Sequence, residues 1–244
     1  MKITYLGTSH GVPSATRNTT SFLLEVGENA YIIDAGAPIA GLLMKHNIPY
    51  TKIKALFNTH YHVDHFFGGL EFIALCNWYF KDTDLDIFLT EDSAIKNVQN
   101  IITDSGLSLD GDRVRMKKVT ESFVYDDGTV KVTAVPTLHL SITNRPSFAY
   151  IFEAEGKRIM FTGDLAAYLE DFPQVLYEKH FDYVAIECSH PSAENLEEHL
   201  KTANCDRVAV THIFPEDKFE KLEQMKKRLK AELMIPNDGD VFVL

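Results

Sequence analysis

The sequence predicts an α/β protein in which two β-sheets stack face to face and helices cover their outer surfaces. Three observations carry this expectation. Strand-like runs are too numerous for one small sheet, and helical patterns are distributed among them. No Pro/Gly/Ser-rich linker, low-complexity tract or internal repeat divides the chain. At 244 residues with 45% hydrophobic composition the chain can bury a full core, so a single domain over residues 1–244 is expected.

In chain order the strand-like runs are KITYL, SFLLEV, AYIID, KALFNT, DIFLT, VKVTAVPT, SFAYIFEA, RIMFT, YVAIE, RVAVT and VFVL, each short and rich in β-branched or aromatic residues. Turn signals such as YDDGT, AEGK and NDGD punctuate them. The segments PIAGLLMKHN, FGGLEFIALCNWYF, EDSAIKNVQNIIT, SAENLEEHLKTAN and PEDKFEKLEQMKKRLKAEL read as helices. In the last of these Phe219, Leu222, Met225, Leu229 and Leu233 recur at threes and fours, a buried stripe opposite a solvated Lys/Arg face. The layers are therefore expected in the order helix, sheet, sheet, helix.

Composition excludes several classes of function. A net charge of −11 argues against general affinity for nucleic acid or anionic membranes, because both need clustered Lys and Arg. No run approaches the ~18 uninterrupted apolar residues of a membrane span, and the amino terminus carries no apolar leader, so a cytoplasmic location is expected. Cys76, Cys188 and Cys205 are scattered without C-x-x-C spacing, which predicts neither a disulfide framework nor a cysteine metal knuckle. GTSHGVP lacks the pattern of a nucleoside-triphosphate loop.

The chemistry concentrates in FNTHYHVDHFFGG, which places His60, His62, Asp64 and His65 in one short loop. His or Asp follows a strand-like run at three further places: His139 after VTAVPTL, Asp164 after RIMFTG and His212 after RVAVT. The carboxyl ends of strands are where open α/β sheets place ligands. Imidazole and carboxylate donors suit a pair of divalent ions such as zinc, iron or manganese. His60 and His62, alternate residues of an extended loop, point the same way and can clasp one ion, while Asp64 and His65 face a second. His139 and His212 can complete the two shells, and Asp164 is the natural bridge. Two ions ~3.5–4 Å apart can share a hydroxide of lowered pKa, which is hydrolytic chemistry.

Blander roles exist for each residue. A His-rich loop can simply be solvated, lone histidines after strands are commonly structural, and Asp164 in TGDL suits a helix cap or turn. Asp34 in YIIDAG is either a turn residue or an orienting partner of the metal loop. His190 in ECSHPS is either an exposed helix flank or a proton donor to a leaving group. His10, His46, His180 and His199 are assigned to surface or local packing. Arg17, Asn18, Ser141 and Arg145 lie in loops where they would contact a phosphate or merely shape a turn.

On HYHVDH, which matches H-x-H-x-D-H, and on the order of His139, Asp164 and His212, the chain resembles the metallo-β-lactamase-fold hydrolases. YLGTSHGVPSATRNTTSFLLE, FTGD, ECSH and VTHIFPE resemble the branch containing ribonuclease Z and related phosphodiesterases, over nearly the whole length. The resemblance implies a four-layer αββα sandwich with His60, His62 and His139 at one ion, Asp64, His65 and His212 at the other, and Asp164 bridging. It further implies Asp64 as general base and His190 as donor to the leaving group; the same ligands accept zinc, the first expectation, or manganese or iron, and oligomeric state stays open, a homodimer being common for this fold. Three departures stand out. Residues 140–163 leave no room for the arm that grips transfer RNA, Val63 replaces a usual Gly, and APIAG replaces a Gly-Glu-Gly-Thr-Gln element.

These departures, with the acidic balance, point to a phosphodiesterase for a small phosphodiester, such as a cyclic nucleotide or cyclic sugar phosphate, rather than for a long nucleic acid. The alternatives are hydrolysis of a thioester, lactone or β-lactam, ribonuclease Z-like RNA cleavage, and a non-catalytic metal-binding sensor. A di-iron redox role fits less well, because His62 stands where such members carry a carboxylate.

Overall fold

The computed structural model describes residues 1–244. The first half of the chain runs β1 (Lys2–Gly7), β2 (Ser21–Val26), β3 (Asn29–Ala35), α1 (Ile39–Lys45), β4 (Ile53–Phe57), α2 (Val63–Trp78), β5 (Leu85–Leu89), α3 (Asp92–Asp104) and β6 (Val114–Lys118). The second runs β7 (Val124–Asp126), β8 (Lys131–Thr137), β9 (Ser147–Ala154), β10 (Lys157–Phe161), α4 (Val175–Glu178), β11 (Tyr183–Cys188), α5 (Ala193–Leu200), β12 (Arg207–Ile213), α6 (Lys218–Met225), β13 (Glu232–Met234) and β14 (Val241–Val243).

The strands form two seven-stranded sheets, ordered β14-β1-β2-β3-β4-β5-β6 and β13-β12-β11-β10-β9-β8-β7. Each is half antiparallel and half parallel. In the first sheet β3 to β6 run parallel, and in the second β10 to β13 do. The parallel halves need crossover helices, and these cover the outer faces.

Strand alternation sorts side chains into layers. Ile3, Tyr5, Phe22, Leu24, Tyr31, Ile33 and Phe57 meet Tyr150, Phe152, Phe161 and Tyr183 between the sheets. The intervening residues Leu23, Ile32 and Leu56 face Leu42, Phe66, Phe72 and Val98 of the first helix layer. Met160, Val184 and Val210 likewise face Leu176, Leu196 and Leu222 of the second. The fold is the expected αββα sandwich.

Three local expectations are corrected. The final helix ends at Met225, and Leu233 belongs to β13, which pairs in parallel with β12; the stripe is buried as expected, but Glu232–Met234 gains a ladder that a longer helix would forgo. Asp64 and His65 lie in the first turn of α2 and not in an extended loop, with His62 at the N-cap, where the carboxylate also suits the positive helix end. His212 lies inside β12 rather than beyond it. Edge strands β6 and β7 gave little sequence signal, the first being polar and basic and the second three residues long.

Two glycines bring α2 to the sheet. A Cβ on Gly36 would sit 1.7 Å from the Asp64 carbonyl oxygen, and one on Gly68 would sit 1.6 Å from that of Ala37. Any side chain at either position displaces the helix start, and with it Asp64 and His65.

Phe57 contacts Phe88, Phe123, Tyr125, Tyr150 and Phe152 at ring separations of 5.0 to 6.3 Å. We expect Phe57→Ala to destabilise the fold by about 3–5 kcal/mol, seen as a lower urea midpoint at unchanged slope.

Candidate metal centre

The carboxyl ends of strands from both sheets converge on one rim. β4 leads into His60 and His62, β8 into His139 and β10 into Asp164, while β12 carries His212. The structure brings together all seven residues expected to bind metal.

They fall into two groups about Asp164. Its Oδ2 faces His60 Nε2 at 3.7 Å and His139 Nε2 at 3.6 Å, and His139 Nε2 lies 3.3 Å from His62 Nδ1. Its Oδ1 faces His65 Nε2 at 3.3 Å and His212 Nε2 at 3.7 Å. Asp64 Oδ2 closes this second group, 3.2 Å from His212 Nε2 and 3.5 Å from His65 Nε2.

Hydrogen bonds behind the histidines fix their tautomers. His65 Nδ1 donates to Asp34 Oδ2 at 2.7 Å, leaving a bare lone pair on Nε2. Thr59 Oγ1 donates to Asp34 Oδ2 at 2.8 Å and so accepts from His60 Nδ1 at 3.1 Å, leaving His60 Nε2 bare as well. Asp34 also accepts from Thr59 N at 2.8 Å and Asn58 Nδ2 at 3.2 Å. It is fully buried within β3 at φ +52°, which resolves its two sequence readings in favour of an orienting group. His212, at φ +50°, is the second site residue in this costly region of backbone space.

From the second sheet, the Tyr150 hydroxyl donates to Asn58 O at 2.8 Å and Phe148 N to Thr59 O at 2.9 Å, pinning the entry to the histidine loop. Asp171 ties two ligand loops together. It accepts from Leu138 N at 2.6 Å, next to His139, and from Ala166 N at 3.0 Å, two residues past Asp164.

Burial pulls His60, His62 and His139 below the usual histidine value, His139 to about 4, so these rings are neutral donors at neutral pH. Burial also acts to lower His65 and His212, but the Asp164 charge, with Asp34 at His65 and Asp64 at His212, outweighs it and raises both. Burial would raise Asp164, yet the surrounding imidazoles hold it well below the carboxylate range.

The donor set fits metal. His60 Nε2 and Asp164 Oδ1, both facing the cluster, are buried without a hydrogen-bond partner. Asp34, Asp164 and Glu187 are buried carboxylates, none paired with Lys or Arg. Unpaired polar atoms and charges are costly in a protein interior, and cations between the groups would satisfy both. The donor atoms of His60, His62, His139 and Asp164, and those of Asp64, His65 and His212, each lie within 4.8 Å of one another.

His190 lies over the same rim, its ring 4.5 Å from His139 and 5.9 Å from His212. Its Nδ1 donates to Glu187 Oε1 at 2.8 Å. Burial acts to lower His190, but the hydrogen bond and charge of Glu187, with the Asp164 charge, raise it on balance. Glu187 went unassigned in the sequence. Its signal was a carboxylate in register with the inward Tyr183 and Ala185, at the end of an otherwise apolar strand. It also accepts from Leu165 N at 3.0 Å and Ser189 N at 2.6 Å.

Three of the four loop residues considered for phosphate contact are occupied elsewhere. Arg17 donates to Thr8 Oγ1, Pro236 O and Asn237 Oδ1 at 2.7 to 2.9 Å, and Asn18 Nδ2 to Leu6 O at 3.2 Å. Arg145 is paired with Glu91, and Ser141 opens an exposed 3-10 turn. His10, assigned to surface or local packing, stands at the rim with its ring 6.5 Å from that of His212.

Residues 1–204 match the family described as Anti-Pycsar protein Apyc1. The chain belongs to that family. It is 32% identical over 142 residues to a ribonuclease BN of Cronobacter sakazakii, an alignment covering 57% of this chain and 46% of the relative. The chain spans less than half the length of the first curated relatives it matches. Among solved structures, the metallo-β-lactamase fold protein YhfI from Bacillus subtilis superposes with a TM-score of 0.79 at 19% identity, covering 99% of both chains. The short form of human tRNase Z does so with a TM-score of 0.80 at 19% identity, covering 100% of this chain and 99% of that one. The fold is the metallo-β-lactamase fold, and no helix is long and apolar enough to cross a membrane.

Because Asp34 orients His65 directly and His60 through Thr59, we expect Asp34→Asn to weaken metal affinity roughly 10- to 100-fold while the chain stays folded. Competition with a chromophoric chelator, beside far-ultraviolet circular dichroism, measures both.

Proposed function

We propose that this chain is a dinuclear metal-dependent phosphodiesterase acting on a small, cyclic phosphodiester. The observation that carries the reading is the division of Asp164, with one oxygen toward His60 and His139 beside His62, and the other toward His65 and His212 beside Asp64. His60, His62 and His139 would hold one ion, Asp64, His65 and His212 the other, and Asp164 both; zinc is the proposed metal. Such a pair supplies Lewis acidity toward a phosphoryl oxygen and lowers the pKa of water.

The remaining steps belong to the chain. Burial pushes Asp64 up, but the His212 hydrogen bond and the His65 charge bring it below the usual carboxylate value, so it is ionised and accepts a proton from the attacking water. His190 is held through Nδ1 by Glu187, and its side chain is 35% exposed at the rim. Against the lowering effect of burial, the Glu187 hydrogen bond and charge raise its pKa, which favours the doubly protonated ring whose Nε2 hydrogen can pass to the departing alkoxide.

Several features support a small substrate. Residues 140–163 form only a short turn and the strands β9 and β10, with no projecting arm. Arg17 and Arg145 are engaged, and the net charge is −11, so no basic track awaits a long polyanion. Ribonuclease Z-like RNA cleavage is the second reading, favoured by the names of the matched relatives.

Metal-loaded protein should hydrolyse bis-p-nitrophenyl phosphate, lose activity on chelation and regain it with zinc or manganese. Asp64→Ala should lower kcat by about 10²–10⁴-fold. His190→Ala should act mainly on alkyl phosphodiesters, since p-nitrophenolate departs without a proton. A substrate panel of cyclic nucleotides, precursor transfer RNA and thioesters separates the readings; cleavage of the RNA alone would overturn the small-substrate assignment, and thioester turnover without phosphodiester turnover would overturn phosphodiesterase.

A further inference from the structure

His212 differs from the other six residues of the centre in lying inside a strand, and the strand accommodates it by an irregularity. Glu187 of β11 pairs with Thr211 and Cys188 with Ile213, so His212 is the extra residue of a bulge. A bulge re-aims a side chain and takes its residue out of the ladder. His212 is also 3% exposed, so its N–H cannot turn to water, and its φ of +50° persists only where the surroundings over-determine it.

The surroundings that do so come from the other sheet. Thr8, immediately after β1, accepts from His212 N at 3.0 Å through its carbonyl oxygen. Thr8 is itself buried, and each of its remaining polar groups is engaged. Its N and Oγ1 both donate to Asp238 Oδ1, at 2.9 and 2.7 Å, while Oγ1 accepts from Arg17 Nη1 at 2.7 Å. Asp238 Oδ2 accepts from Asn18 N at 2.6 Å, so one carboxylate closes both ends of the loop between residues 8 and 18. The turn bearing Asp238 is in turn fastened to β1, with Gly239 N donating to Tyr5 O at 2.7 Å and Tyr5 N to Asp240 O at 3.0 Å.

We propose that Asp238 and Thr8 are positioning residues that hold the bulged His212 at the rim and thereby set the affinity of one of the two ion sites. The effect on metal rests on the dinuclear reading given above, whereas the effect on the His212 backbone does not. The clamp acts on one side of the centre. His212 Nε2 faces Asp64 Oδ2 and His65 Nε2 at 3.2 and 3.3 Å. On the opposite side His60 is oriented by Asp34 through Thr59, and His139 follows the Leu138 amide held by Asp171. Loosening Thr8 therefore loosens one ion and spares the other, whereas a general loss of stability would weaken both.

Two measurements on the full chain test the clamp, with Asp238→Ala and the milder Thr8→Val, which removes only the hydroxyl bonds. In metal-free protein, amide hydrogen exchange of His212 read by NMR should quicken at least about 5-fold in both variants, the scale of one lost hydrogen bond. Asp240→Ala, which frees Asn237 N in the same turn without touching Thr8, should leave that rate within about 2-fold. In zinc competition against a chromophoric chelator, both clamp variants should weaken one binding step roughly 10-fold and leave the other nearly unchanged. Unaltered exchange at His212 in both variants, or equal weakening of the two zinc steps, would overturn the proposal. Faster exchange at His212 in a chain that binds a single zinc ion upholds the positioning role and removes the dinuclear reading alone.

Discussion

One carboxylate organises this molecule. Asp164 is buried between two sets of imidazoles and presents one oxygen to each. Such an arrangement is unstable unless positive charge compensates it and the surrounding backbone is held rigidly. The residues after Asp164 are tied accordingly, Leu165 N by Glu187 and Ala166 N by Asp171. The same two acids reach onward, Glu187 to His190 and Asp171 to the peptide before His139. The hydrogen bonds that place Asp164 therefore also place His139 and His190, the proposed third imidazole ligand and proton donor.

Much of the fold was legible because its strands are short, apolar and bounded by turn residues. Runs such as AYIID and YVAIE appear in the structure as β3 and β11 nearly as read. The carboxy-terminal helix was over-extended because a spacing of threes and fours continues through Leu229 and Leu233, and periodicity alone does not reveal that an edge of β12 is waiting for a partner. β6 carries two lysines and an arginine as an edge strand, so its sequence lacks the alternation that would have announced it.

At the site, the residues bearing unusual chemistry were visible because histidines rarely crowd after strand ends. The supporting residues were harder to see. Asp34 was singled out but could not be separated from a turn residue, since its four donors come from residues 58, 59 and 65 and only the folded chain brings them to it. Glu187 and Asp171 were missed because an acid whose role is to accept backbone N–H groups has no motif. His10 was assigned to surface or local packing because its neighbours, Phe214 and His212, lie some two hundred residues away along the chain.

The division of the ligands between the two halves of the chain has a consequence for the order of events on the ribosome. His60, His62, Asp64 and His65 emerge early, on the sheet built around β3 and β4, while His139, Asp164 and His212 follow with the second sheet. β14, the last strand, then returns to complete the first sheet beside β1. Until residues 139–212 emerge, a nascent chain therefore carries its histidine loop without Asp164 and the opposing imidazoles. The cluster is assembled only once β12 and His212 have emerged, so a chain stopped before them holds one side of the cluster without the other.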